Sequence, residues 1–182
     1  MGNIREFKYK LIKNFLSKEE LEIGSYYFNL KHKKNITSFD TIQNNNGDSK
    51  FDGDAFSETI LMRKLKKMEE ESGLKLFPTY SFSRVYTYNA LLEKHKDRPS
   101  CEISVTVMWE SDGTKWPIFI ENTPVAMEPG DAVMYLGCEL EHWRENFKGD
   151  YHIQTFLHYV DQNGLYKDYK YDKRDFQFSP EI

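Results

Sequence analysis

From residue 80 onward the chain breaks into short β-prone runs separated by turn signals, and this alternation constrains the fold more than any other feature. Tyr80–Tyr88, Cys101–Trp109, Trp116–Glu121, Thr123–Met127, Ala132–Leu136 and His152–Val160 are runs of strand length, many rich in β-branched and aromatic residues. Between them stand Ser111-Asp112-Gly113, Glu128-Pro129-Gly130-Asp131 and Lys148-Gly149-Asp150, whose residue types favour turns. Strands this short and this closely spaced do not suggest βαβ units. They predict an antiparallel sandwich or jelly roll, with helices packed on one outer face. The aromatic content of 15%, from 12 Tyr, 13 Phe and 3 Trp, adds weight to a β-rich fold.

The helices belong to the first third. Ser17-Lys18-Glu19-Glu20 has the spacing of a capping box, and Leu21, Ile23 and Tyr27 follow it. A second helix is expected from about Ala55 to Glu71, with Asp54 as N-cap and Gly73 as the stop. Its apolar face is Leu61, Leu65 and Met68, and Lys64, Lys66 and Lys67 are expected on the solvent side. Asn44-Asn45-Asn46-Gly47-Asp48 reads as a surface loop.

With 182 residues, 39% of them hydrophobic, the chain has the size of one ordinary domain. The formal net charge of −4 argues against nucleic acid as the main partner. Apolar runs such as Val105–Trp109 are far too short to span a membrane. The N-terminus has no secretory h-region, and Glu6 stands where a myristoylation signal wants Ser or Thr. Cys101 and Cys138, with no CxxC motif, are expected to be reduced thiols. The expectation is a cytoplasmic protein with neither membrane nor nucleic acid as partner.

Chemistry concentrates in three residues. In His95-Lys96-Asp97 an imidazole and a carboxylate stand at i and i+2, on one face of an extended segment. His142 follows 45 residues after Asp97, past the strand Ala132–Leu136. Two imidazoles and a carboxylate without a thiolate form the donor set used for non-haem Fe(II), which leaves coordination positions open. The H-x-D pattern alone is weak, and its place among the strands strengthens it. Simpler readings exist for each residue. His95 and Asp97 fit a solvated charge run, Glu93–Arg98, and His142 an exposed position. Arg144 fits a surface ion pair with Glu141 or Glu145. His152 and His158 fit packed strand positions, and His32 a solvated face. Tyr86 and Tyr88, two apart, are expected to share one face, in the core or in a pocket.

Over about residues 80–160 the sequence resembles the Fe(II)- and 2-oxoglutarate-dependent dioxygenases, nearest the prolyl-4-hydroxylase-like branch. The matching pieces are Arg84-Val85-Tyr86-Thr87-Tyr88, His95-Lys96-Asp97, the Cys101–Trp109 strand, Glu128-Pro129-Gly130-Asp131 with the strand behind it, His142, and the closing strand Gln154–Val160. The resemblance implies an α+β protein whose core is a double-stranded β-helix. It also implies decarboxylation of 2-oxoglutarate to succinate, coupled to hydroxylation of a C–H bond, with a peptidyl prolyl residue as the first candidate substrate. His95, Asp97 and His142 become the iron ligands, and Tyr86 falls where relatives line the co-substrate pocket.

The sequence departs from the pattern at one point. Relatives carry a Lys or Arg nine or ten residues past the distal His, paired with the C5 carboxylate of 2-oxoglutarate; here those positions are Tyr151 and His152. Arg144 can supply the cation instead, through a bidentate guanidinium. His152 can do so only when protonated, because a neutral ring offers one donor. The expected organisation is one domain: helical support over about 1–78, the β-helix core over about 79–160, and a C-terminal arm over 161–182. The implied partners are Fe(II), 2-oxoglutarate, molecular oxygen and a peptide or small-molecule substrate. Two alternatives are a cupin-like metal enzyme that does not use 2-oxoglutarate and a non-catalytic jelly-roll module.

Overall fold

The computed structural model describes residues 2–33 and 48–175; the Asn44–Gly47 part of the expected loop and the end of the C-terminal arm lie outside them. The chain runs through α1 (Ile4–Phe7), β1 (Tyr9–Ile12), α2 (Lys18–Lys33), β2 (Ser49–Asp52) and α3 (Ala55–Ser72). Eight strands follow: β3 (Leu76–Thr87), β4 (Leu92–His95), β5 (Ile103–Ser111), β6 (Ile118–Ile120), β7 (Thr123–Val125), β8 (Ala132–Leu136), β9 (His142–Arg144) and β10 (Tyr151–Asp161). The large sheet has the order β1-β8-β5-β10-β3-β2 and the small one β4-β9-β6-β7. All the pairings are antiparallel. From β3 on, the chain passes back and forth between the sheets, which is the winding of a double-stranded β-helix. The fold is therefore α+β with a jelly-roll core, as the strand spacing predicted.

The period of two on β5 sorts the layers. Val105, Val107 and Trp109 are buried in one core with Phe28 of α2 and Leu61 of α3, on the outer face of the large sheet. Trp109 packs against Phe28 and Phe56 at 5.5 and 5.7 Å between ring centroids. Helix α2 approaches this indole so closely that a Cβ on Gly24 would lie 2.0 Å from the ring. Tyr159 of β10 ties the layers by donating to the Leu61 carbonyl at 2.9 Å. Each fully buried aliphatic side chain here contributes about 1.5–3 kcal/mol relative to exposure.

Both helix starts follow their local signals. Glu20 N–H donates to Ser17 Oγ at 3.2 Å, and Ser17 N–H donates to Glu20 Oε2 at 2.8 Å, closing the capping box. Asp54 Oδ1 accepts from the Phe56 and Ser57 amides, and Gly73 ends α3 at φ +70°. Lys64 corrects the expected solvent side of α3. It is buried, its ammonium donates to Glu20 at 2.6 Å and to the Phe15 carbonyl at 2.8 Å, and it covers the Phe15 ring. A long aliphatic stem allows this burial because the head finds acceptors. The first third also supplies β1 and β2 to the two edges of the large sheet. Each has only four residues, too few to show a period. Tyr88 does not share Tyr86's environment: β3 ends at Thr87, Tyr86 is fully buried and Tyr88 is 60% exposed.

The C-terminal arm lies against the β3 stretch that β2 leaves unpaired. Arg174 donates to the Thr79 carbonyl at 3.0 Å, and Asp172 accepts a two-point ion pair from Arg98 at 2.9 and 2.7 Å. Cys101 and Cys138 are both free thiols; Cys101 is buried and Cys138 half-buried. No helix among the described residues is long and apolar enough to cross a membrane.

Candidate metal centre and anion pocket

His95 is the last residue of β4 and His142 the first of β9, and the two are paired across the small sheet. Their rings stand 4.3 Å apart between centroids. Asp97, two residues past His95, folds back between them: its Oδ1 lies 3.6 Å from His95 Nε2 and 3.4 Å from His142 Nε2. All three donor atoms are within 4.8 Å of one another. The carbonyls of Glu93 and Leu140 accept from His95 Nδ1 at 2.7 Å and His142 Nδ1 at 3.0 Å. A carbonyl only accepts, so each Nδ1 carries the hydrogen, and in the neutral ring Nε2 is the lone-pair donor. Two Nε2 lone pairs and a carboxylate oxygen converging on one point suit a divalent cation.

The electrostatics agree. Burial alone would raise the Asp97 pKa, but the adjacent His142 and His95 rings outweigh it and hold the carboxyl ionised, far below its ordinary range. His95 is raised by the same contact with Asp97, against the cost of its own burial. Ser104, on the inward face of β5, donates to Asp97 Oδ2 at 2.6 Å and meets His158 Nδ1 at 3.1 Å. His158 is buried and its pKa falls to about 4 through desolvation, so it is a neutral brace. It stacks on Tyr80 at 4.6 Å, consistent with a packed strand residue, and also supports the Ser104–Asp97 bond. Asp97, Cys101 and His158 also form a second close group, and Ser104 sits among them as their hydrogen-bonding hub.

Gly137 completes the cradle. Its carbonyl accepts from the Asp97 amide at 2.9 Å, and a Cβ there would lie 2.4 Å from Asp97 Oδ2 and 2.6 Å from Ser104 Oγ. Gly137→Ala is therefore expected to push the carboxylate off its position and weaken divalent-metal affinity at least tenfold, measured by anaerobic Fe(II) titration.

A cavity of about 120 Å³ lies beside the three residues, walled by Tyr80, Phe82, Arg84, Leu92, Tyr135 and Phe156 among others. Tyr86 also lines it. Arg144 is two residues past His142 on β9, about 6–7 Å further along the strand. It is fully buried rather than part of a surface ion pair. Its guanidinium lies over the Trp116 ring at 4.6 Å and donates through Nη1 to the Trp116 carbonyl. Among the described residues no carboxylate pairs with it, and its Nε and Nη2 make no hydrogen bond. Burial lowers its pKa to about 10, so it stays charged at neutral pH. The other buried arginine of the barrel, Arg84, has Asp48 at 3.4 Å.

Tyr86 and His152 are paired across β3 and β10, and both pack edge-on against Trp116, at 4.9 and 5.3 Å. Among the described residues the buried Tyr86 hydroxyl and both His152 nitrogens have no hydrogen-bond partner. Burial, with Arg144 nearby, pushes the His152 pKa well below its ordinary value. A buried cation, a phenol and an imidazole with unused polar atoms thus gather around the Trp116 ring, a set of groups suited to an anion.

The structure thus brings His95, Asp97 and His142 into one group and Tyr86, Arg144 and His152 into another. Sequence reasoning missed Ser104, Tyr135, Trp116 and Gly137. Of these, only the inward position of Ser104 had a signal, in the alternation of β5.

No family profile matches the sequence, and no curated protein matches it. Solved structures do. A viral collagen prolyl hydroxylase from Paramecium bursaria Chlorella virus-1, in its 2-oxoglutarate complex, is 13% identical, with a TM-score of 0.64 over 87% of this chain and 98% of its own. A Trichoplax adhaerens prolyl hydroxylase, in complex with a hypoxia-inducible-factor peptide fragment, is 14% identical, with a TM-score of 0.66 over 87% and 86%. A non-haem α-ketoglutarate-dependent carbocyclase from nogalamycin biosynthesis is 13% identical, with a TM-score of 0.68 over 87% and 81%. At such identities the likeness is one of fold: this chain has the jelly-roll fold of the Fe(II)- and 2-oxoglutarate-dependent oxygenases, prolyl hydroxylases among them.

Proposed function

We propose that this protein is an Fe(II)- and 2-oxoglutarate-dependent oxygenase that hydroxylates a C–H bond. His95, Asp97 and His142 hold the iron, and Arg144 with Tyr86 holds the distal carboxylate of 2-oxoglutarate. The observation that carries the reading is the pairing of the two groups on β9. A three-donor metal cradle begins the strand, and a buried arginine with unused donors ends it, about one five-carbon chain away. A jelly-roll module without catalysis has no reason to bury a cation that lacks a counter-charge, and a metal enzyme indifferent to dicarboxylates has none either.

Iron bound in this cradle would use molecular oxygen as the oxidant: one oxygen atom would enter the substrate C–H bond and the other succinate, as 2-oxoglutarate loses CO2. The chain does the rest. The carbonyls of Glu93 and Leu140 fix both imidazole tautomers, and Ser104 fixes the free oxygen of Asp97. Arg144 sets the reach of the dicarboxylate, while Tyr80, Phe82, Leu92 and Phe156 keep the reacting centre apolar and dry. Small-molecule and peptide substrates both occur among proteins of this fold. The prolyl side chain of a peptide is the first to test, because prolyl hydroxylases recur among the matching structures.

The test is anaerobic. Fe(II)-loaded protein mixed with 2-oxoglutarate is expected to show the visible charge-transfer band of a chelating 2-oxo acid. Iron binding without a band would refute the co-substrate assignment.

A further inference from the structure

The His152 ring sits where a fixed cation would be simplest, and its surroundings give it a different means of holding an anion. We infer that His152 contacts the distal carboxylate of the co-substrate and takes up a proton as that carboxylate binds. The inference rests on the 2-oxoglutarate reading above.

The geometry is that of one cluster around a single ring. Arg144 Cζ, the Tyr86 ring and the His152 ring all lie against the single indole of Trp116, at 4.6, 4.9 and 5.3 Å. Trp116 and Phe147 wall the imidazole on its apolar sides. His152 is 2% exposed, and among the described residues neither of its nitrogens has a hydrogen-bond partner. The titratable and charged groups around it are few. Arg144 comes from β9 and Tyr86 from β3, Arg84 of β3 lies over the far side of the cluster at 4.6 Å from the Tyr86 ring, and Lys115 and Glu128 line a surface cavity together with His152.

Without an anion, Arg144 and burial both oppose a second charge, so the ring is neutral. A bound carboxylate reverses this balance. It adds a negative charge beside Arg144 and offers only acceptors, so a neutral ring can give it one hydrogen while the other nitrogen's lone pair is left buried. Protonation turns both nitrogens into donors and adds a cation to the pair. The position thus acts as a cation only when the dicarboxylate is present. This limits the cost of keeping two positive side chains in one dry pocket.

Calorimetry of 2-oxoglutarate binding to the anaerobic Mn(II)-loaded protein, in buffers of different ionisation enthalpy near pH 6.5, reads proton uptake directly. Loading the metal first removes the protons of His95 and His142 from the count. The expected result is uptake approaching one proton per 2-oxoglutarate, with Kd rising up to tenfold per pH unit as pH increases between the free and bound pKa of His152. His152→Asn, which keeps a neutral donor, is expected to bind more weakly with no proton uptake and a flat pH profile. In zinc-loaded protein, ring ¹⁵N spectra should show His152 passing from neutral to doubly protonated as 2-oxoglutarate is added.

Binding without uptake in the wild type, or unchanged uptake in His152→Asn, would overturn the inference and leave the co-substrate reading standing. A metal-loaded protein that binds no 2-oxoglutarate would overturn both.

Discussion

Asp97→Ala is expected to abolish Fe(II) binding. In an anaerobic titration the wild type should take up one iron per chain, and the variant none at micromolar concentrations. The reason is the sharing of this one carboxylate: both His95 and His142 direct Nε2 at its Oδ1, so its loss removes a ligand and the only anion of the donor set. Two neutral imidazoles alone are a weak site for a hard divalent ion. The fold should survive, because Asp97 is a loop residue and Ser104 retains the Cys101 carbonyl as acceptor. A melting temperature within a few degrees of wild type, with metal binding gone, is the full expectation. Retention of stoichiometric iron by Asp97→Ala would place the metal elsewhere.

Arg144→Met is expected to move stability and binding in opposite directions. The guanidinium is fully buried, and among the described residues no carboxylate faces it, so the folded protein carries its desolvation cost. An apolar side chain of similar volume removes that cost, and comparable replacements of buried charges stabilise by about 1–4 kcal/mol. The variant should therefore melt several degrees higher in the absence of ligand. It should also lose 2-oxoglutarate affinity by at least about 100-fold, since a charge-assisted two-point contact is worth about 1.5–3 kcal/mol and more where water is excluded. Iron affinity should be unchanged. Buried cations that weaken a protein and strengthen its site are an ordinary form of the stability–function trade-off. A variant that is both less stable and unaltered in 2-oxoglutarate binding would show Arg144 to be a structural residue held by Trp116.

Much of the scaffold was legible in the residues. The Ser17–Glu20 box and the Asp54 cap mark α2 and α3 because capping is local chemistry, decided by side chains within three residues of the amides they satisfy. Strands β5, β8 and β10 could be read because runs of five or more residues of largely apolar, β-branched or aromatic character stand between turn signals. Strands β1, β2, β4 and β9, of three or four residues each, were not. They exist because the neighbouring strand supplies their hydrogen bonds. Lys64 was misplaced for a related reason: a lysine on a helix reads as solvated unless its partners, here Glu20 and the Phe15 carbonyl, are known.

The sequence by itself determined the residue types of the metal group and the order of the elements that carry them, because H-x-D and a later histidine among strands is a local pattern. Only the tertiary structure decided what each polar group faces. It placed His95 opposite His142 across two strands too short to predict, and it set Gly137 against Asp97, leaving no room for a side chain. It also turned Arg144 inward onto Trp116, away from Glu141 and Glu145. The physical reason is burial. A charge at the surface is screened and indifferent to its neighbours, whereas inside the barrel its meaning is set by which partner it has or lacks, and those partners are brought there by strand pairing across long stretches of chain.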